Sequence, residues 1–150
     1  MTTTLTSFAE LKSLTARDLM GDAGQMIRTG ACVAEVMDRF LTGPSRHLVV
    51  IGDDGRCVGV IGPRHLAQAR RYDPKLDASR TPIEVLDYAP WISLSPDDDL
   101  RTCARMLVEH SLDAVPVLDE DHRVLGVVTA HAIARAAADI ADPRPCMWGE

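Results

Sequence analysis

The chain carries no cysteine pair at C-x-x-C spacing, no long apolar run and no excess of basic residues. Each absence removes a class of function. The four cysteines, Cys32, Cys57, Cys103 and Cys146, have no histidine partners at zinc-finger spacing, so no structural metal is expected and the thiols read as reduced and partly buried. Without a long apolar run there is no membrane-spanning helix. Met1 is followed by three threonines and not by the basic stretch of a signal peptide, so the expected location is cytoplasmic. Sixteen Lys and Arg against 22 Asp and Glu give a formal net charge of -6, which argues against a broad footprint for a nucleic-acid duplex and leaves only a local basic pocket for phosphate. His47, His65, His110, His122 and His131 form no local signature with Cys or Ser, so no catalytic residue is assigned and the chain is not expected to be an enzyme.

What is present is an internal repeat. Displaced by 67 positions, residues 49–61 fall onto residues 116–128 with the same order of apolar run, polar turn and apolar run. Two copies of a unit too small to bury a good core alone must pack together, and the cleft between them becomes the natural ligand site. The 150 residues, 46% apolar, suit one folding unit.

Each copy contains the same elements. Val33, Val36, Met37 and Phe40, and their counterparts Leu100, Cys103, Ala104 and Leu107, recur at the spacing of a helix with one apolar face. Next come two apolar runs joined by a polar turn, His47 to Ile51 with the run around Gly59, and Ala114 to Leu118 with the run around Gly126, read as β-hairpins. A second helix follows, over residues 63–71 and 130–141. Before the first helix lies a short extended segment, residues 25–27 or 91–94, and before that a leading helix, residues 15–20 or 82–87. The polar, proline-containing residues 71–80 read as the connector.

The order Asp113-Ala114-Val115-Pro116-Val117-Leu118-Asp119, then Arg123 to Thr129, preceded by Ser93-Leu94-Ser95-Pro96-Asp97, resembles the cystathionine-β-synthase-type (CBS) domain. The first copy, with residues 16–20 and 56–61, resembles a more divergent member. The resemblance implies an α+β fold of two pseudo-symmetric β-α-β-β-α repeats packed sheet to sheet. The first repeat covers residues 15–72 and the second 81–140, with terminal extensions 1–14 and 141–150. It further implies a stand-alone regulatory module that forms a homodimer, needs no cofactor, acts on an unknown protein target and senses AMP, ADP, ATP or S-adenosylmethionine. The alternative is a structural dimerisation or protein-interaction module that has lost its ligand.

The resemblance also implies where a ligand sits. In the second copy the positions are Ile92, Ser93, Asp113, Ala114, Val115 and Pro116, and in the first Met26, Ile27, His47 and Val49, where strand-end backbone can read an adenine edge. The family pattern of Thr or Ser, two residues, then Asp departs here. The second copy keeps Thr129 but has Ala132 for the carboxylate, and the first has Gly62 and His65. Arg64 and His131 stand at equivalent points in the opening turn of each second helix, where free N–H groups favour an anion, with Arg46, His47 and His65 nearby. The same residues also suit solvated side chains at a helix start. With Thr129, His131 and Ser93, the second copy is expected to hold the better site.

Other features read as structure. Residues 95–99, Ser-Pro-Asp-Asp-Asp, form a helix start and not a metal site, and residues 52–55 form a hairpin turn and not a calcium loop. Pro116 is expected at a strand edge facing the cleft, and Gly126 at a close backbone approach. Trp91 is expected to pack near the second copy's first strand, and Trp148 lies in a proline-punctuated tail.

Overall fold

A computed structural model of the chain describes residues 8–22, 24, 26–43, 46–86, 88 and 92–139. The expectations for Trp91, Cys146, Trp148 and the tail lie outside the described residues. The elements are α1 (Phe8–Lys12), α2 (Ala16–Leu19), β1 (Met26–Arg28), α3 (Val33–Thr42), β2 (Leu48–Ile51), β3 (Cys57–Ile61), α4 (Pro63–Tyr72), a 3-10 turn (Ile83–Leu86), α5 (Leu100–Glu109), β4 (Ala114–Leu118), β5 (Val124–Thr129) and α6 (Ala130–Ala138). Helices α3 and α5 coincide under the repeat displacement, and each turns its apolar positions inward: Val33 and Val36, Cys103 and Leu107 are buried. The helix starts follow from local chemistry. Asp99 Oδ1 accepts from the Thr102 N–H at 2.8 Å, Thr129 Oγ1 accepts from the Ala132 N–H at 3.0 Å, and Pro63 opens α4 where its missing N–H costs nothing.

The first copy forms a three-stranded sheet, β1 parallel to β2 and β2 antiparallel to β3, and the second pairs β4 antiparallel to β5. Both hairpins carry an irregularity at the matching place, between Val50 and Ile51 and between Val117 and Leu118. The turns match as well. Gly55 takes a left-handed backbone (φ 82°), and His122 takes the same conformation (φ 62°) in the second copy.

The extended segment expected at residues 91–94 is reduced, among the described residues, to a single parallel bridge between Leu94 and Val117. The Leu94 N–H donates to the Pro116 carbonyl and the Leu118 N–H to the Leu94 carbonyl, both at 2.9 Å. N–H and C=O of one residue leave a strand on the same side, so the N–H that Pro116 lacks would face this segment, and Pro116 itself is buried. The leading helix expected at residues 82–87 is one 3-10 turn, with residue 87 outside the described set. Gly126 lies where backbone approaches closely. Gly21 and Val127 exchange two hydrogen bonds, 3.0 and 3.2 Å, directly beside it.

Among the described residues three apolar clusters hold the fold. One joins Ala16 and Leu19 of α2 to Leu94, Cys103, Leu107, Val115, Val117 and Val128 of the second copy. Another joins Ile83 and Leu86 of the 3-10 turn to Ile27, Val33, Val36, Leu48, Val50 and Ile61 of the first. Each leading turn therefore crosses to the other copy's core, and the crossings match: Leu100 N–H donates to Leu14 O at 3.0 Å, Val33 N–H to Thr81 O at 2.8 Å. The third cluster, Val49, Val60, Ala114 and Val127, is where the two sheets meet. Burying each of these valines is worth about 1.5–3 kcal/mol, so this small patch is the main apolar bond between the sheets.

Candidate ligand site

Where the two sheets diverge from that patch, a cleft of about 220 Å³ opens between the copies. One wall is the start of α4, with Gly62, Arg64, His65 and, one turn on, Gln68, backed by Arg46 and His47. The other is Ile92 and the corner from His110 to Ala114 that joins α5 to β4. The α4 side is ordered by its own sequence. With glycine at the helix start there is no side-chain cap, and His65 supplies a substitute by accepting the Gly62 N–H on Nδ1 at 2.9 Å. A neutral imidazole that accepts on Nδ1 carries its proton on Nε2, so the ring is a donor at its far nitrogen. Arg64 reaches across and donates from Nη1 to the Ser111 carbonyl oxygen at 2.7 Å.

The cleft has an electrostatic direction. Arg46 and Arg64 put two permanent cations on the first-copy side, and Asp113 sits on the second-copy side. Under the repeat displacement Arg46 corresponds to Asp113, Arg64 to His131 and His65 to Ala132, so the pseudo-two-fold relation of the backbone is not shared by the charges.

The structure brings Arg64, His65, His47, Ile92, Asp113 and Ala114 together at this cleft. It places the remaining expected site residues elsewhere. Met26 borders a different hollow of about 530 Å³ with Arg28, Glu35 and Arg39, and Ile27 is buried in the first core. Val49 is buried between the sheets and Val115 points into the second core. Ser93 is half-buried; the Thr129 hydroxyl caps α6 through the Ala132 N–H; His131 is exposed. Gln68, His110, Ser111 and Leu112 were not anticipated. The signal for Gln68 was its position one helical turn beyond Arg64.

Among the described residues Cys32, Cys57 and Cys103 are free thiols. Burial pushes the Cys57 thiol up, only partly offset by the Gly59 backbone. Burial, then the carboxylates of Asp98 and Asp99, push Cys103 up to about 11, which keeps it a neutral apolar packer. Among the described residues no three His, Cys, Asp or Glu side chains are grouped to hold a metal ion, and no helix is long and apolar enough to cross a membrane.

Comparison with known proteins matches residues 33–72 and 83–139 to the family described as CBS domain. The chain belongs to the CBS domain family. Its two matched segments fall one in each copy, so the fold is that of a tandem CBS pair. A homoserine O-acetyltransferase of Methanocorpusculum labreanum is 24% identical over 123 residues, 82% of this chain but 24% of that protein. The chain thus spans about a quarter of the length of the curated relatives it matches. Among solved structures, the CBS domain pair of protein MJ0100, in complex with 5'-methylthioadenosine and S-adenosyl-L-methionine, superposes with a TM-score of 0.70 at 21% identity, covering 81% of this chain and 98% of that one. CBSX2 in complex with AMP superposes with a TM-score of 0.69 at 23% identity, covering 83% and 96%.

Proposed function

We propose that this CBS pair is a regulatory ligand-binding module that senses an adenosine nucleotide or a related anionic metabolite in the cleft between its copies. The observation that carries the reading is the meeting of Arg46, Arg64, His47 and His65 with the backbone of the 110–114 corner around one cleft. Guanidinium groups suit phosphate, and strand-end backbone at Ala114 suits a base edge. Similar CBS pairs crystallised with AMP, 5'-methylthioadenosine and S-adenosyl-L-methionine support an adenosine ligand.

The proposal moves the preferred site from the second copy to the cleft flanked by α4. Thr129, offered by the sequence as a phosphate ligand, accepts the Ala132 N–H as the α6 cap and keeps its O–H as a donor. At the position of the family's ribose carboxylate the cleft has His65, whose imidazole accepts the Gly62 N–H in place of a helix cap. We assign no catalytic step to this chain and no required cofactor. We further propose that it acts as a homodimer on a separate protein target, with repeats spanning residues 15–72 and 81–140.

Calorimetric titration with AMP, ADP, ATP and S-adenosylmethionine tests the reading. Saturable binding is expected for at least one phosphate-bearing ligand. Replacing Arg64 by Gln should weaken it about tenfold, the low end for a hydrogen bond to a charged group because Arg64 is exposed. Silence across the whole panel would favour a structural dimerisation module, for which the replaced ribose carboxylates at His65 and Ala132 already speak.

A further inference from the structure

A side-chain hydrogen bond crosses from one copy to the other at the cleft, and its acceptor sits on a strained corner. Arg64 Nη1 donates to the carbonyl of Ser111 at 2.7 Å. Ser111 follows the C-cap His110 of α5 with a left-handed backbone (φ 52°). Its N–H donates to Val108 O at 3.2 Å and the next N–H, of Leu112, to Leu107 O at 2.9 Å. This is the closing motif of a helix in which glycine is the usual residue, because a side chain disfavours the left-handed conformation. With serine in that place the corner relies on outside contacts, and Arg64 supplies one. Leu112 packs against the second core together with Leu107, so the corner is joined to the cluster that holds β4.

We propose that Arg64 is a latch that reports occupancy of the cleft. With no anion bound it ties the start of α4 to the α5–β4 corner. A phosphate-bearing ligand then takes the guanidinium away from Ser111 and frees the corner. The direction of that exchange follows from charge: an ionised phosphate adds Coulombic attraction and can take two parallel N–H donors of the guanidinium, neither of which the neutral Ser111 carbonyl offers. The latch rests on the cleft reading proposed above and adds to it a route by which the ligand changes the second copy.

Backbone hydrogen exchange at Ser111 and Leu112, with binding followed separately by calorimetry, tests the latch. The probes are inorganic phosphate and AMP, and the proteins are wild type, Arg64→Gln and Arg64→Gln combined with Ser111→Gly. Exchange at the two amides should quicken several-fold when wild type is saturated. It should already be fast in Arg64→Gln without ligand, with no further change on adding either probe. It should slow again in the double variant, because glycine accepts the left-handed corner without help. Equal rates in wild type and Arg64→Gln without ligand would overturn the latch, as would AMP binding to wild type with rates unchanged. If neither probe binds wild type but Arg64→Gln still quickens exchange, the cleft reading fails and the reporting role falls with it, while the tie itself stands.

Discussion

Replacing Gly126 by Val tests a close backbone approach between β5 and the segment after α2. A Cβ at residue 126 would lie 2.6 Å from the Gly21 carbonyl oxygen and 3.0 Å from Met20 Sδ. The methionine can swing aside, but the Gly21 carbonyl is backbone and is held by the Val127 N–H at 3.2 Å, while its own N–H donates to Val127 O at 3.0 Å. Relief therefore means moving the segment after α2 away from β5. Overpacking of this kind costs about 1–3 kcal/mol, and losing two backbone hydrogen bonds adds about 0.5–1.5 kcal/mol each. The expected loss is about 2–6 kcal/mol, read as a lower urea midpoint at unchanged slope. Gly21→Ala is the control, since its added methyl meets nothing within 4 Å, and it should stay within about 0.5 kcal/mol of wild type. A Gly126→Val protein with the wild-type midpoint would refute the close approach.

Further outcomes follow from single side chains. Thr129→Val removes the cap on the Ala132 N–H and should lower stability by about 0.5–2 kcal/mol in the same urea assay. Cys103 keeps its proton to about pH 11 when folded but loses it near its ordinary value of 9.0 when unfolded. In that window the folded state binds more protons, so stability falls as pH rises from 9 towards 11; Cys103→Val should flatten that fall, and parallel curves for the two proteins would count against it. Asp99 is held below its ordinary value of 3.8, first by the hydrogen bond from the Thr102 N–H. Its contribution is present above that ordinary value and lost as pH falls through the lower folded one, so Asp99→Ala should unfold with a shallower acid dependence than wild type.

Much of this fold was legible because the repeat and the helical spacing are both local signals. The positions Val33, Val36, Met37 and Phe40, set against Leu100, Cys103, Ala104 and Leu107, mark α3 and α5 to within two residues. Periodicity does not record what an apolar face packs against. The crossing of Ala16 and Leu19 into the second core, and of Ile83 and Leu86 into the first, therefore had no sequence signal. The same gap affected the site. Arg64 and His65 were visible as cationic residues at a helix start, but their neighbours Ser111 and Asp113 come from the other copy, through a contact that only tertiary packing creates. Thr129 carries two readings at once: a hydroxyl at a strand end caps a helix through its oxygen and can donate to a ligand through its proton, and the residue sequence is the same for both.

The claim that a nucleotide binds between the copies is tested most directly by mapping where AMP perturbs the backbone amides in nuclear magnetic resonance. Shifts are predicted at residues 62, 64, 65 and 68 of the α4 start and at residues 110–114 of the opposite corner, the two walls of the cleft. Shifts confined to the hollow around Met26, Arg28 and Arg39, or no saturable shifts at all, would contradict it.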